Sequence, residues 1–195
     1  MSGLAFPALA AKVRAVLPEV TAEQSENGQP FLRAPAASLP ALASLLRDDP
    51  ALRFDALMDL TGWDRLKYPA VPPTDAIAVV YLLFSHPLRH RLMVEVQAPR
   101  AACAVPSVSG VWPAAIYFER EVWDLLGVQF TGHPSLSRIM CPDDWVGHAL
   151  RKDYLYPAEY RGVAHLRDGQ HFEDQVRRVG DAEPGNVPKP AKGGP

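Results

Sequence analysis

The stretch AIAVVYLLFS, residues 76–85, is the longest apolar run in the sequence. A membrane-spanning helix needs roughly 20 such residues, so this run is too short and no membrane span is predicted. Its continuous apolar character, without alternation, is typical of a strand that lies inside a sheet. The run therefore predicts a central strand, around which the neighbouring elements must be arranged.

Two stretches on either side of this run alternate apolar and polar residues, as half-buried strands do. They are RFDALMDLTG (53–62), with Phe54, Ala56 and Met58 on one side, and RLMVEVQA (91–98), with Leu92, Val94 and Val96. The Pro-rich stretch 64–75 between the first two strands is predicted to be an exposed loop. Three consecutive strands are therefore expected between residues 53 and 98.

The N-terminal part of the chain predicts two helices and a hairpin. Residues 6–17 have helical apolar spacing, and Ser38 is a suitable N-cap for a second helix over 39–49. Short strands at 20–23 and 31–33 are separated by ENGQ (26–29), whose Asn-Gly pair favours a tight turn. The resulting order is helix, two strands, helix, three strands. It predicts a two-layer α+β domain with a mixed sheet, over residues 1–105.

The rest of the chain predicts a helix followed by irregular structure. A helix is expected over 113–126, with Gly127 at its C-terminal end. From Phe130 onward periodicity is lost, which indicates an extended arm, and we assign residues 106–165 to this helix and arm. Residues 166–195 form a tail that is predicted to be disordered from about residue 180, because that part is rich in Pro and Gly.

Composition excludes several classes of function. The 195 residues are 48% hydrophobic and 22% charged with a net charge of −2, so no basic field for nucleic acid is present. Two cysteines cannot form a four-cysteine zinc or iron–sulfur site within this chain. The sequence also lacks a Gly-rich phosphate loop, a dinucleotide fingerprint and a nucleophile elbow.

Most candidate chemistry lies in GHPSLSRIMCPDDWVGHALRKDY, residues 132–154, which we name the polar segment. His133, Cys141 and His148 could bind zinc with Asp143 or Asp144, although their spacing matches no compact zinc pattern. A Cys–His nucleophile pair has equally little support, because the spacing specifies no base or orienting group. The alternative is that the histidines serve turns by bonding backbone groups.

The predicted helix 113–126 carries a second charged group. Helical spacing places Arg120 beside Asp124, and Glu121 on the same side as Asp124. Paired carboxylates can perform acid–base chemistry. The alternative is a helix side that faces solvent or a partner protein.

The order of these residues gives the most specific information. FEREVWDLLGVQFTGHPSLSRIMCPDDWVGHALRKDY (118–154) closely resembles the signature of the C-type, or 30-kDa-type, subunit of proton-translocating NADH:quinone oxidoreductase, respiratory complex I. Leu126 and Ala149 depart from the Phe and Pro of that signature. The matching residues are Glu119, Arg120, Glu121, Asp124, Gly127, Phe130, Gly132, His133, Pro134, Leu136, Arg138, Gly147, His148, Leu150, Arg151, Lys152 and Asp153.

The resemblance implies a structural and assembly subunit with no catalytic site and no cofactor of its own. In such complexes electrons pass from NADH through FMN and Fe–S clusters, held by partner subunits, to quinone, and proton translocation is coupled to this transfer. The implied partners are chiefly the B- and D-type quinone-site subunits, on the cytoplasmic side of the inner membrane, where the chain is held peripherally through the complex. The implied subunit-interface residues are Glu119, Arg120, Glu121, Asp124, His133, Pro134, Arg138, His148, Arg151, Lys152 and Asp153.

Two alternatives remain open at the level of the sequence. A homologous subunit occurs in membrane-bound, energy-converting hydrogenase-type complexes, and one chain does not separate these assemblies. The other alternative is an autonomous metal enzyme that uses the His and Cys residues of the polar segment.

Overall fold

The computed structural model describes residues 3–66, 75–157 and 159–164, and it confirms the predicted α+β fold with a mixed sheet. The elements, in chain order, are α1 (Phe6–Val16), β1 (Thr21–Gln24), β2 (Pro30–Ala34), α2 (Leu39–Asp48), β3 (Ala56–Asp64), β4 (Ala76–Ser85), β5 (His90–Pro99), β6 (Ala104–Pro106), α3 (Ala115–Leu126), β7 (Gln129–Thr131), β8 (Glu159–Tyr160) and β9 (Val163–Ala164).

Five strands form the main sheet in the order β1-β2-β5-β4-β3. β2 and β5 are parallel, and the other neighbours are antiparallel. The apolar run becomes β4, an interior strand, as predicted. Its side chains share one core with those of the helices, including Leu9, Val13, Leu42 and Leu46. The order of the first seven elements is the one predicted from the sequence.

The alternation predicted for β3 is wrong. A β-bulge shifts the register between Leu57 and Asp59, and Met58, predicted to face the same side as Phe54, is 55% exposed. Leu57 and Leu60 are buried instead. Because a bulge inserts one extra residue, it reverses the direction of the side chains that follow it.

α3 packs on β3 and joins the main core. The side chains of Val122 and Leu126 lie so close to Gly62 that a Cβ there would be 2.5 Å from Leu126 Cδ1. Ahead of the helix, the indole nitrogen of Trp112 donates a 2.8 Å hydrogen bond to the carbonyl of Phe54. β6 pairs in parallel with β7, which holds the two ends of this region together.

The predicted exposed loop 64–75 needs a correction at its start. Asp64 and Arg65 are buried. Asp64 ends β3 and accepts hydrogen bonds from the Leu66 amide, from Arg100 and from the Lys152 amide. Residues 67–74 of this loop and the predicted tail 166–195 lie outside the described residues. Among the helices of the described ranges, none has the length and apolar character needed to span a membrane. The boundaries proposed at residues 105 and 165 stay a prediction.

Candidate functional site

The polar segment caps the C-terminal end of α3. The last carbonyls of a helix have no partner within the helix and carry partial negative charge. Here three consecutive carbonyls accept hydrogen bonds from the polar segment: Asp124 from His148 Nδ1 (2.9 Å), Leu125 from the Leu150 amide (3.0 Å) and Leu126 from Arg151 Nε (2.7 Å). The second Gly-His motif and the Arg-Lys motif are therefore spaced so that they reach successive backbone carbonyls at the C-terminal end of α3.

Asp124 is the centre of this arrangement, and its side chain is fully buried. One carboxylate oxygen pairs with Arg138. The other accepts hydrogen bonds from three consecutive backbone amides, those of Ile139, Met140 and Cys141, at 3.0, 2.9 and 2.9 Å. A single acidic side chain therefore fixes the path of four consecutive residues.

Arg138 extends this unit further along the chain. Its guanidinium also donates to the carbonyls of Trp145 (2.7 Å) and Gly147 (3.2 Å). Five donors in a planar fork allow one arginine to serve several acceptors at once. Residues 138–141 and 145–147 are consequently held side by side above the end of α3.

Gly127 permits the close approach of the second Gly-His motif. It has a φ of 76° and ends α3 in the left-handed conformation, as the sequence predicted. A Cβ at this position would lie 2.5 Å from the His148 ring and 3.0 Å from Arg151 Nη2. Glycine is thus required both for its backbone conformation and for space.

The surroundings of the site lower the pKa values of two groups, Asp124 and His148. Burial opposes ionisation of Asp124, but the three backbone amides and Arg138 outweigh it and hold the pKa of this carboxyl below its ordinary value. Burial lowers the pKa of His148, and the nearby Arg151 and Arg138 add to this effect. His148 is therefore favoured as a neutral ring that donates from Nδ1.

Sequence reasoning missed Asp64 and Arg100, which tie the polar segment to the sheet. The Asp64 carboxylate pairs with Arg100 and accepts the Lys152 amide at 2.8 Å. Arg100 also donates to Asp153 at 2.9 Å, and Lys152 Nζ donates to the Leu66 carbonyl at 3.0 Å. Neither Asp64 nor Arg100 stands in a motif or a periodic pattern, so no signal in the sequence marked them.

Glu119 and His133 form a separate buried group at the start of α3. Glu119 accepts from the Val108 amide (2.8 Å) and the Ser107 hydroxyl (2.6 Å), and burial raises its pKa despite these bonds. His133 Nε2 donates to the Ile116 carbonyl, and its Nδ1 accepts the Ser135 amide, both at 3.0 Å. Both residues therefore connect loops to α3.

The pairing predicted between Arg120 and Asp124 is wrong. Arg120 donates instead to the carbonyls of Ser137 and Arg138, both at 3.0 Å, while Arg138 takes the place beside Asp124. Helical spacing identifies neighbours on one helix. Here the polar segment folds over α3 and supplies other partners for both Arg120 and Asp124. Glu121 and Pro134 are exposed.

The geometry does not bring the candidate metal ligands together. Both ring nitrogens of His133 and the Nδ1 of His148 bond within the chain. Over residues 3–66, 75–157 and 159–164, no group of three His, Cys, Asp or Glu side chains is placed to hold a metal ion. Burial raises the pKa of the Cys141 thiol and raises that of Cys103 to about 11, which disfavours a nucleophilic thiolate.

Comparison with known proteins gives consistent matches. The C-type subunit of NADH-quinone oxidoreductase from Acidothermus cellulolyticus is 48% identical over 128 residues, which cover 64% of this chain and 65% of that protein. The protein of the same name from Roseiflexus castenholzii is 40% identical over 154 residues, with 78% and 86% covered. The chain therefore spans slightly less than two thirds of the first relative and most of the second.

A solved structure agrees with the sequence matches. A trypsin-resistant fragment (1–134) of Nqo5 superposes with a TM-score of 0.54 at 29% identity, covering 67% of this chain and 98% of the fragment. The family model described as "Respiratory-chain NADH dehydrogenase, 30 Kd subunit" matches residues 32–160, which include the main sheet from β2 onward, α3 and the polar segment. The chain belongs to the family of the 30-kDa subunit of respiratory-chain NADH dehydrogenase, as the signature around α3 predicted.

Proposed function

We propose that this chain is a non-catalytic structural subunit of the peripheral arm of NADH:quinone oxidoreductase. Family membership carries the proposal, because the matched relatives are named as the C-type subunit of that enzyme. These names favour complex I over the hydrogenase-type alternative. In this role the chain supports electron transfer from NADH to quinone, coupled to proton translocation, by chemistry that other subunits perform through FMN and Fe–S clusters.

The contacts of the polar segment support a structural role. Arg138 and Arg151 of this segment donate to backbone carbonyls, and Asp153 pairs with Arg100. Groups committed to such bonds are not available for proton transfer to a substrate. A rigid surface that is held in one shape is what a permanent interface requires, because less conformational entropy is then lost on docking.

We further propose that the partners are the B- and D-type quinone-site subunits, and that the chain is held at the cytoplasmic side of the membrane through them. The face around residues 119–153 is the proposed contact. The charged residues of that face would act by fixing the backbone to which its exposed side chains are attached. Ile139, Met140, Val146 and Leu150 are exposed on the same segment, which supports this choice of face.

Copurification from membranes tests the proposal. A tagged full-length chain, expressed in cells that lack the native copy, is expected to recover the B- and D-type subunits after mild solubilisation. It is also expected to restore NADH:quinone reductase activity to those membranes. Recovery of the tagged chain without other members of the complex, and without restored activity, would refute the proposed function.

A further inference from the structure

Within the part of the chain that the structure describes, Glu119 is a buried acid with which no Lys or Arg forms an ion pair. Both carboxylate oxygens are bonded to neutral groups. Oε1 accepts the Val108 amide at 2.8 Å, and Oε2 bonds the Ser107 hydroxyl at 2.6 Å. A buried carboxylate without a paired charge is costly, so such a group favours its neutral form.

The titratable side chains that the described residues place beside Glu119, His133 and Tyr81, bring no positive charge. His133 Nε2 lies 4.0 Å from the carboxylate, beyond hydrogen-bond distance, and donates to the Ile116 carbonyl instead. Its Nδ1 accepts the Ser135 amide, so this nitrogen carries no proton and the ring is neutral. Tyr81, on β4, stays protonated, because burial and the nearby Glu119 raise its pKa well above the ordinary value.

A second acid of the same helix shows what Glu119 lacks. Asp124 is equally buried, but it accepts three backbone amides and pairs with Arg138, and these groups lower its pKa. Glu119 bonds one amide and one hydroxyl, and its pKa is raised, chiefly by burial. Burial therefore prevails at Glu119, whereas hydrogen bonds and a paired charge prevail at Asp124.

Two half-buried serines connect the buried carboxyl to the protein surface. Ser107 Oγ lies 2.7 Å from Ser109 Oγ and accepts the Ser109 amide at 3.1 Å. When Glu119 is ionised, Ser107 donates to it and accepts from the Ser109 hydroxyl. When Glu119 is protonated on Oε2, it donates to Ser107, which then donates to Ser109. Because a hydroxyl has one proton and two lone pairs, Ser107 is satisfied in both states, as reversible proton uptake requires.

The carboxyl also holds the linker between β6 and α3. The Val108 amide donates to Glu119, and the Val108 carbonyl accepts the amides of Val111 and Trp112, each at 2.9 Å. Val108 itself is buried. The linker is therefore folded around Val108, and a charge on Glu119 acts at this point.

We infer that Glu119 is a proton-dependent switch: it holds the linker 107–112 on α3 as an uncharged acid, and it loosens the linker when it ionises through Ser107 and Ser109. This property goes beyond the proposed structural role and does not depend on it. The folded chain binds this proton more tightly than the unfolded chain does. Its contribution to stability is therefore present at low pH and is lost as pH rises through the folded-state pKa of Glu119.

Carbon-13 NMR of the Glu119 side-chain carboxyl, in the uniformly labelled full-length chain, tests its protonation state directly. The resonance is expected to titrate at a higher pH than the ordinary value for glutamate, about 4.3. Titration at or below that value would overturn the inference. A resonance that does not change over the pH range in which the chain stays folded would also overturn it. Wild-type protein suffices, so the result does not depend on the stability of a variant.

Ser107→Ala tests the path to the surface. It removes a donor to the ionised carboxylate, so the titration of Glu119 is expected to move to still higher pH. Ser135→Ala is the matched control, because it removes an exposed hydroxyl and keeps the backbone amide that donates to His133. Equal titration of Glu119 in the two variants would overturn the assignment of Ser107.

Glu119→Gln tests the loosening of the linker. Glutamine has the shape of the neutral acid but cannot ionise. The exchange rate of the Val108 amide in wild type, divided by that in the variant at the same pH, is expected to rise several-fold across the titration. The same ratio for the Ile139 amide, which Asp124 holds, should stay constant. A constant ratio at Val108, or an equal rise at both amides, would overturn the proposed switch.

Discussion

β4 and the polar segment are both packed against the rest of the chain, but different interactions hold them. β4 buries Ile77, Val79, Tyr81 and Leu83 against the core, between two neighbouring strands. Residues 132–154 contain no helix or strand, and their path is fixed by hydrogen bonds to Asp124 and Asp64. Apolar burial is shared among many residues. A polar scaffold of this kind depends on a few residues, which should respond sharply to single substitutions.

Asp124→Ala is expected to have the largest effect. It removes the acceptor of three backbone amides and leaves Arg138 beside an unpaired site. Breaking a buried ion pair by removing one partner costs about 3–5 kcal/mol. Urea unfolding should show this loss, and hydrogen exchange should show faster exchange of the amides at 139–141 while β4 stays protected.

Leu42→Ala, at a fully buried core position, is the control for that experiment. It should lower the free energy of unfolding by about 2–5 kcal/mol through loss of packing. It should not selectively speed amide hydrogen exchange at residues 139–141. If Asp124→Ala accelerated exchange in β4 as much as in the polar segment, the two regions would not be held independently. The conclusion that different interactions hold β4 and the polar segment would then be wrong.

This difference also explains what the sequence could predict. Apolar patterns located β3, β4 and β5, because these patterns record burial, and the Asn-Gly pair at 27–28 located the hairpin of β1 and β2. The pattern missed the bulge at Met58, since a bulge changes register without changing residue types. It also missed Asp64 and Arg100, because a bond between residues 36 positions apart leaves no local signal. The signature of the polar segment was found by resemblance, and its role in capping α3 became visible only in three dimensions.

Gly62→Ala is expected to have the next largest effect, and it tests how far the polar segment depends on the core. The new Cβ would lie 2.5 Å from Leu126 Cδ1 and 3.0 Å from Val122 Cγ1. Overpacking of this kind costs about 1–3 kcal/mol. Because α3 also carries Asp124, its displacement should speed exchange at residues 139–141 as well.

Gly110→Ala is the matched control, because a Cβ at that position meets nothing within 4 Å. It should leave both stability and exchange unchanged. Normal exchange at 139–141 in Gly62→Ala, despite lower stability, would show that α3 moves together with the polar segment as one body.

A smaller effect on the free energy of unfolding is expected from a change of pH. This effect distinguishes the contribution of the Asp124 charge from that of packing. The pKa of Asp124 is held below its ordinary value, so its contribution to stability is present above the unfolded-state pKa of about 3.9. That contribution is lost as pH falls through the lower, folded-state pKa. Asp124→Asn lacks this dependence, so its deficit relative to wild type should narrow on acidification from pH 6 towards pH 2. The narrowing amounts to about 1.4 kcal/mol per pKa unit.

Urea unfolding of both proteins across this pH range provides the measurement. Leu42→Ala serves as the control, because its deficit arises from packing and should stay constant with pH. A deficit of Asp124→Asn that widened on acidification would contradict the sign derived from the pKa of Asp124.

The smallest effect is expected at the exposed ion pair between Asp144, within the polar segment, and Arg161, beyond its end. Asp144 accepts two hydrogen bonds from Arg161, at 3.0 and 2.9 Å, but more than half of each side chain is exposed. Solvent screens such a pair, and side-chain entropy offsets its attraction. Asp144→Asn should therefore leave the free energy of unfolding at the wild-type value within measurement error, although Asp144, like Asp124, is paired with an arginine. A loss close to that of Asp124→Ala would mean that burial is not what distinguishes the two aspartates.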